Sequence, residues 1–208
     1  MLKYTLSILL IFVSVAHGAN DFVAGKDYVI INNNGTEGSN AATHVTEFFS
    51  YGCPWCYRIE PSLNKWVNQK GTGLSYKKIP VVFNKNWEYY ARAYYTVNAL
   101  GLDSTLNPLL FKTIIKDKHP LNSAEAMVDF FTQQGVDEKT AQSAFDHSPS
   151  IDLAMSTGQA LMVRYQINAV PAFVINNHYK TDLQMAQTEE RLFAILDFLL
   201  TQEKSKKT

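Results

Sequence analysis

Only two of the 208 residues are cysteines, Cys53 and Cys56. That excludes a disulfide framework as the source of stability. A chain of this length can bury a core of its own instead. Excess charge of one sign is missing as well, since 19 basic residues stand against 19 acidic ones. A nucleic-acid partner held by a basic surface therefore finds no support, and neither does an acidic interaction tail. Histidines are few, and beyond the first segment His44, His119, His147 and His178 each stand alone. Structural zinc wants a full tetrahedral ligand set, so two cysteines without a histidine pair make a poor zinc site. No long internal repeat is visible.

Long apolar runs are also rare, apart from 6-LSILLIFVSVA-16 near the start. It is too short to cross a bilayer comfortably. Lys3 precedes it, and Ala16-His17-Gly18 follows with small residues where a leader peptidase needs them. Residues 1–18 are expected to be a signal peptide cleaved near Gly18. Export implies an oxidising compartment, where cysteine pairs persist as disulfides.

The rest of the chain alternates strands and helices. Residues 28-YVIIN-32 and 44-HVTEFFS-50 read as strands, the second rich in β-branched and aromatic residues. Between them 32-NNNGTEGSN-40 carries only turn chemistry, and its sequon at Asn34 is read as coincidental. A helix is expected from Pro54 to about Lys70, with proline at the first helical position and Ile59, Leu63, Trp66 and Val67 on one face. Pro61 lies inside it and should kink it. Residues 74-LSYKKIPVVF-83 alternate as a strand. Helical patterns follow at 87–100, 106–116, 123–134 and 137–146, with Ser123 and Asp137 as expected N-caps. The aromatic residues Trp87, Tyr89, Tyr90, Tyr94 and Tyr95 are read as core or as an interface between the two parts of the chain. A helix over 149–165 leads to a strand within 166-QINAVPAFVIN-176, a turn at Asn176-Asn177 and a short strand at 178–180. The last helix starts after Thr188 and buries Leu192, Ile195, Leu196 and Leu199. The order is that of an α/β protein with a mixed sheet.

The cysteines fall where the second strand gives way to the first long helix. Unpaired backbone N–H groups at a helix start stabilise a thiolate and lower its pKa. Cys56 lies one turn further in, close enough to close a disulfide. Such a pair can bind metal, staple a loop or exchange electrons. The position in an exported chain favours exchange.

The residues 47-EFFSYGCPWCYRIE-60, with 169-AVPAFV-174 far downstream, resemble the DsbA family of exported thiol:disulfide oxidoreductases. The resemblance implies a thioredoxin-like fold with an all-helical domain inserted in it. The boundaries expected are 19–84 and 148–202 for the thioredoxin-like part, 85–147 for the insertion and 203–208 for a basic tail. Cys53 and Cys56 would be the redox pair, with no organic cofactor and no metal. Pro171 matches the family's cis-proline, and Val170 would offer its backbone to an extended substrate. Pro54 and Trp55 would also touch substrate. Glu47, an acid inside an apolar strand, would accept the Cys56 proton, tuned by Glu60 and Lys78. The partners implied are unfolded exported proteins and a DsbB-like membrane reoxidase. A periplasmic monomer is expected.

One residue departs from the commonest pattern. Many members carry histidine where this chain has Trp55. An indole has one donor and no charge, so the Cys53 thiolate gains less and a weaker oxidant is expected. The rival readings are a disulfide isomerase or reductase and a redox-linked chaperone of the same fold. Only about ten residues separate the leader from the first strand, which leaves no room for the N-terminal segment through which such isomerases dimerise.

Overall fold

The computed structural model describes residues 22–31 and 43–205. The expected leader, the Asn34 sequon and the end of the basic tail lie outside the described residues. The strands are β1 (Val29–Ile30), β2 (Thr43–Phe49), β3 (Leu74–Pro80), β4 (Ala172–Ile175) and β5 (Tyr179–Asp182). The helices are α1 (Pro54–Lys70), α2 (Lys85–Ala99), α3 (Asp103–Phe111), α4 (Ala124–Gln133), α5 (Glu138–Asp146), α6 (Pro149–Arg164), α7 (Leu183–Ala186) and α8 (Glu189–Ser205).

The strands form one five-stranded sheet in the order β1-β5-β4-β2-β3. β2 runs parallel to β3 and antiparallel to β4, so the sheet is mixed. Alternation along β2 sends its side chains to two separate layers. Val45 packs with Ile59 and Leu63 of α1 and with Leu192, Ile195, Leu196 and Leu199 of α8. Each of those four α8 residues is fully buried, worth roughly 1.5–3 kcal/mol apiece. Phe48 points the other way and meets Tyr165 edge-on at 6.0 Å, just beyond α6.

Helices α2 to α5 intervene between β3 and α6 and build a second core that takes in Phe49, Tyr51, Cys53 and Cys56. Leu106, Leu110, Phe111, Met127, Phe131 and Phe145 are all buried there. The expected caps are in place. Ser123 Oγ accepts from Ala126 N at 3.1 Å, and Asp137 Oδ1 from Thr140 N at 2.9 Å. Gly101 and Gly135 stop their helices at φ 69° and 90°, a region that costs glycine nothing. The aromatic run of α2 joins this core to the sheet. Tyr90 is buried, and Tyr94 meets Phe49 of β2 edge-on at 5.2 Å.

Several boundaries differ from the sequence reading. β3 stops at Pro80, which has no N–H to extend the ladder, and one further bond follows from Val81 N to Phe49 O at 2.8 Å. The helix expected over 106–116 is α3 followed by a π-type turn over Lys112–Lys116. The strand expected within 166–176 shrinks to β4, because Gln166 turns the chain at φ 50° and Ile167 N still bonds back to Met162 O. Helix α1 keeps its expected bounds, with Pro61 inside it. Helix α7 is a single turn, too short for periodicity to reveal, started by Asp182 Oδ1 accepting from Met185 N at 2.8 Å. The Asn176-Asn177 turn is as expected, with both residues at positive φ.

Candidate active site

The end of β2 and the start of α1 place the cysteine pair. Cys53 is the N-cap of α1, in extended conformation, and Pro54 fills the first helical position. Its Sγ accepts from Cys56 N at 3.2 Å. The free N–H groups of the first turn therefore converge on one sulfur. Both cysteines are free thiols in this form.

The two sulfurs have opposite acid strengths. The Cys53 thiol is pulled below its ordinary value, chiefly by the hydrogen bond from the Cys56 side chain, with help from the backbone N–H groups of Cys56 and Trp55. Burial works against this and loses. Cys56 is fully buried. Burial pushes its thiol well up, and the neighbouring Cys53 and Glu47 charges add to the effect. One proton shared by this pair therefore rests on Cys56 and leaves the thiolate on Cys53.

Beneath the pair lies a row of buried charge. Glu47 of β2 has no solvent exposure and stands opposite Lys78 of β3 in the parallel ladder. Lys78 Nζ is 3.2 Å from Glu47 Oε2 and 2.6 Å from Glu60 Oε2. Glu60 comes from α1, one turn after Cys56, as its spacing implied. The aromatic rings of Phe49 and Phe111 cover the ammonium at 4.5 and 5.6 Å. Burial alone would lower Lys78, but the two carboxylates overcome it and hold the cation above its ordinary value. Burial raises Glu47 above its ordinary 4.5, against the pull of Lys78 and with the Glu60 charge adding to the rise. Its Oε2 accepts from the Tyr76 hydroxyl, and its buried Oε1 has no hydrogen-bond partner among the described residues. The sequence reading missed Tyr76. Strand alternation held the signal, since Tyr76 and Lys78 are two apart and share a face.

Across from Cys53 sits the loop before β4. The Val170–Pro171 peptide is cis, and Cys53 Sγ lies 3.4 Å from Val170 O. Pro171 is buried, while Val170 is half-buried. Pro54 is exposed, and Trp55 is 53% exposed with its ring 5.3 Å from the Arg58 guanidinium. The Trp55 indole packs against Arg58, and its backbone N–H is among the groups that lower Cys53. Trp55, Val170 and Pro171 line a groove of about 650 Å³ that continues to the α7–α8 junction. On the other flank Gly52 is pressed by α2. A Cβ there would lie 2.4 Å from Trp87 Nε1 and 2.9 Å from Tyr90 Cε2. Neither Arg58 nor Trp87 was singled out as a site residue in the sequence. All nine that were, Glu47, Cys53, Pro54, Trp55, Cys56, Glu60, Lys78, Val170 and Pro171, fall in this one region.

Comparison with known proteins places this geometry. The family described as the DSBA-like thioredoxin domain matches residues 44–199. The thiol:disulfide interchange protein DsbA of Burkholderia cepacia is 32% identical, over 99% of this chain and all of that one. The DsbA of Azotobacter vinelandii is 30% identical, over 89% of this chain and 86% of that one. Among solved structures, the crystal structure of Pseudomonas aeruginosa DsbA superposes with a TM-score of 0.84 at 28% identity. That match covers 91% of this chain and 98% of the other.

Proposed function

The chain belongs to the family of DsbA-like thioredoxin domains and is a DsbA-type thiol:disulfide interchange protein; from that premise we propose that it works as an oxidant, passing the Cys53–Cys56 disulfide to folding exported proteins. The observation that carries this reading is the split in acidity between the two thiols. A stabilised Cys53 thiolate is a good leaving group, which favours the reduced form of the protein and drives electrons towards it.

The reaction runs in two exchanges. A substrate thiolate attacks Cys53 Sγ, the Cys53–Cys56 bond breaks, and a mixed disulfide forms. Cys56 leaves and takes up a proton, which its raised affinity favours. A second substrate thiolate then attacks the substrate sulfur of the mixed disulfide. Cys53 leaves as thiolate, and the substrate gains its disulfide. Two electrons have passed from the substrate to the cysteine pair. Glu47, raised by burial and coupled to Cys56 through charge, is the proton acceptor when Cys56 is deprotonated for reoxidation. Lys78 and Glu60 set how readily Glu47 does so. Val170 presents backbone groups for an extended substrate strand beside Cys53. Pro54 and Trp55 supply the exposed surface next to it. A DsbB-like membrane protein regenerates the disulfide, and the site of action is the periplasm.

The direct test is oxidation of a reduced, unfolded protein by the purified, preoxidised chain. Disulfides should form in stoichiometric amounts, and Cys53→Ala should abolish them. Persistence of the activity in Cys53→Ala overturns the reading. Thiol trapping in cells separates the oxidase from an isomerase or reductase. A mostly oxidised pair supports the first, and a mostly reduced pair rejects it.

A further inference from the structure

The groove beside Cys53 carries a charge pattern that the exchange chemistry does not use. One wall is apolar and aromatic, made by Trp55 of α1 and Pro171. The α7–α8 junction adds Asp182, Glu189 and Glu190 to the lining. Among the described residues Arg58 is the only basic one lining the groove, and its guanidinium lies against Trp55. Asp182 is committed to capping α7. Glu189 and Glu190 lie in the first turn of α8, where they complement the helix dipole. Among the described residues neither takes part in a salt bridge. Glu190 is exposed and Glu189 half-buried.

Resting on the oxidant reading, we infer that this groove selects substrate segments whose cysteine is flanked by lysine or arginine. An extended segment laid along the Val170–Pro171 loop has its neighbouring side chains in the groove. A long basic side chain suits both parts of the lining. Its methylenes cover the Trp55 face while its charged end reaches the carboxylates. An acidic segment meets two unpaired carboxylates and is disfavoured. The chain as a whole is neutral, so the preference is local to the groove and is not a general attraction for cations.

The test uses the oxidised full-length mature protein and three cysteine peptides, flanked on both sides by lysine, glutamine or glutamate. Stopped-flow reduction of the Cys53–Cys56 disulfide gives the rate for each. Flanking lysine also makes the peptide thiol more acidic, so the ratio of the lysine to the glutamate rate is compared between proteins. In Glu189→Gln/Glu190→Gln that ratio should fall roughly two- to fivefold at low salt, the size expected of partly exposed ion pairs. In Arg58→Gln it should rise, because the opposing cation is gone. Salt at 0.5 M should shrink both differences. A ratio unchanged in both variants overturns the inference while leaving the oxidant reading intact. Failure of the wild-type protein to react with any of the three peptides removes the oxidant reading, and this inference with it.

Discussion

Glu47→Gln tests the buried charge directly. Glu47 is fully enclosed, and one of its oxygens has no partner among the described residues. At 3.2 Å from Lys78, an effective dielectric near 20 gives roughly 5 kcal/mol of attraction. Withdrawing the carboxylate from water costs several kcal/mol, of similar size. The nearby Glu60 charge and the unpartnered oxygen tip the balance against ionisation, so the folded protein holds this proton more tightly than the unfolded chain does. Between the ordinary value of 4.5 and the raised folded value, the folded state binds more protons than the unfolded state. Its stability therefore falls as pH rises through that window. Each unit of elevation removes about 1.4 kcal/mol once pH exceeds the folded value. Glutamine cannot ionise and escapes this loss. It still offers an oxygen to Tyr76 and Lys78, and Lys78 keeps Glu60 at 2.6 Å. The stability of the variant relative to wild type should thus climb as pH rises above 4.5 and level off only beyond the raised folded value. A one-unit elevation corresponds to a rise in Tm of roughly 3–6 °C for a protein of this size. Urea unfolding of the reduced proteins across pH 4–8 measures it. Lys78 stays cationic and Cys56 stays protonated across this range, so neither obscures the slope. A stability difference that is flat, or that moves against the variant as pH rises, refutes the reasoning.

Alkylation of the native dithiol with iodoacetamide should modify Cys53 alone, with a rate midpoint below its ordinary 9.0, while Cys56 reacts only after unfolding. Mass spectrometry after a timed quench decides this, and early labelling of Cys56 contradicts it. Gly52→Ala drives a methyl group into Trp87 and Tyr90 and should cost about 1–3 kcal/mol in urea unfolding. Trp87→Leu in the same chain should return part of that loss. Trp55→His places a donor beside Cys53 where the indole contributes none, so the potential in a glutathione buffer should rise, by about 30 mV for each 1.4 kcal/mol gained by the thiolate. An unchanged or lower potential counts against it.

Local chemistry was legible in the sequence wherever one element decided the outcome. Pro54, the apolar stripe of α1 and the Thr188 start of α8 act within their own helices, and they appear where expected. Cys53 was assigned to a strand–helix junction on the same grounds. Glu60 followed from helical spacing, because its face is set by its distance from Cys56. Contacts that depend on register across the sheet were not legible from pattern alone. Glu47 meets Lys78 only because a long crossover returns β3 in parallel at that register. Phe111, which helps cover the Lys78 ammonium, arrives from α3, beyond the end of the sheet segment in sequence. Tyr76 was within reach of alternation but needed the position of Glu47 to gain a meaning. The groove was the least legible feature. Glu189 and Glu190 read locally as charges suited to a helix start. They join Trp55 in the groove only because β4, β5 and α7 fold the chain back on itself.

That distinction bears on the motif dipeptide and the direction of electron flow. The forces that lower Cys53 come from the Cys56 thiol and from backbone N–H groups at the start of α1, and any residue but proline at position 55 preserves them. The side chain at 55 adds to this background only if it turns towards the sulfur. Trp55 turns to Arg58 instead and lends its exposed face to the groove. A thiolate held by the Cys56 thiol and the helix start still makes Cys53 the better leaving group of the pair, which suits the oxidant proposed above. On the reading proposed above, tryptophan forgoes the donor that a histidine would place by Cys53 and adds exposed apolar surface to the groove. The two effects are separable. Trp55→Ala should leave the reduction potential close to that of wild type, because no indole contact with Cys53 is lost, yet slow the oxidation of apolar peptides. A large shift in potential from that substitution would mean that the indole reaches the sulfur after all.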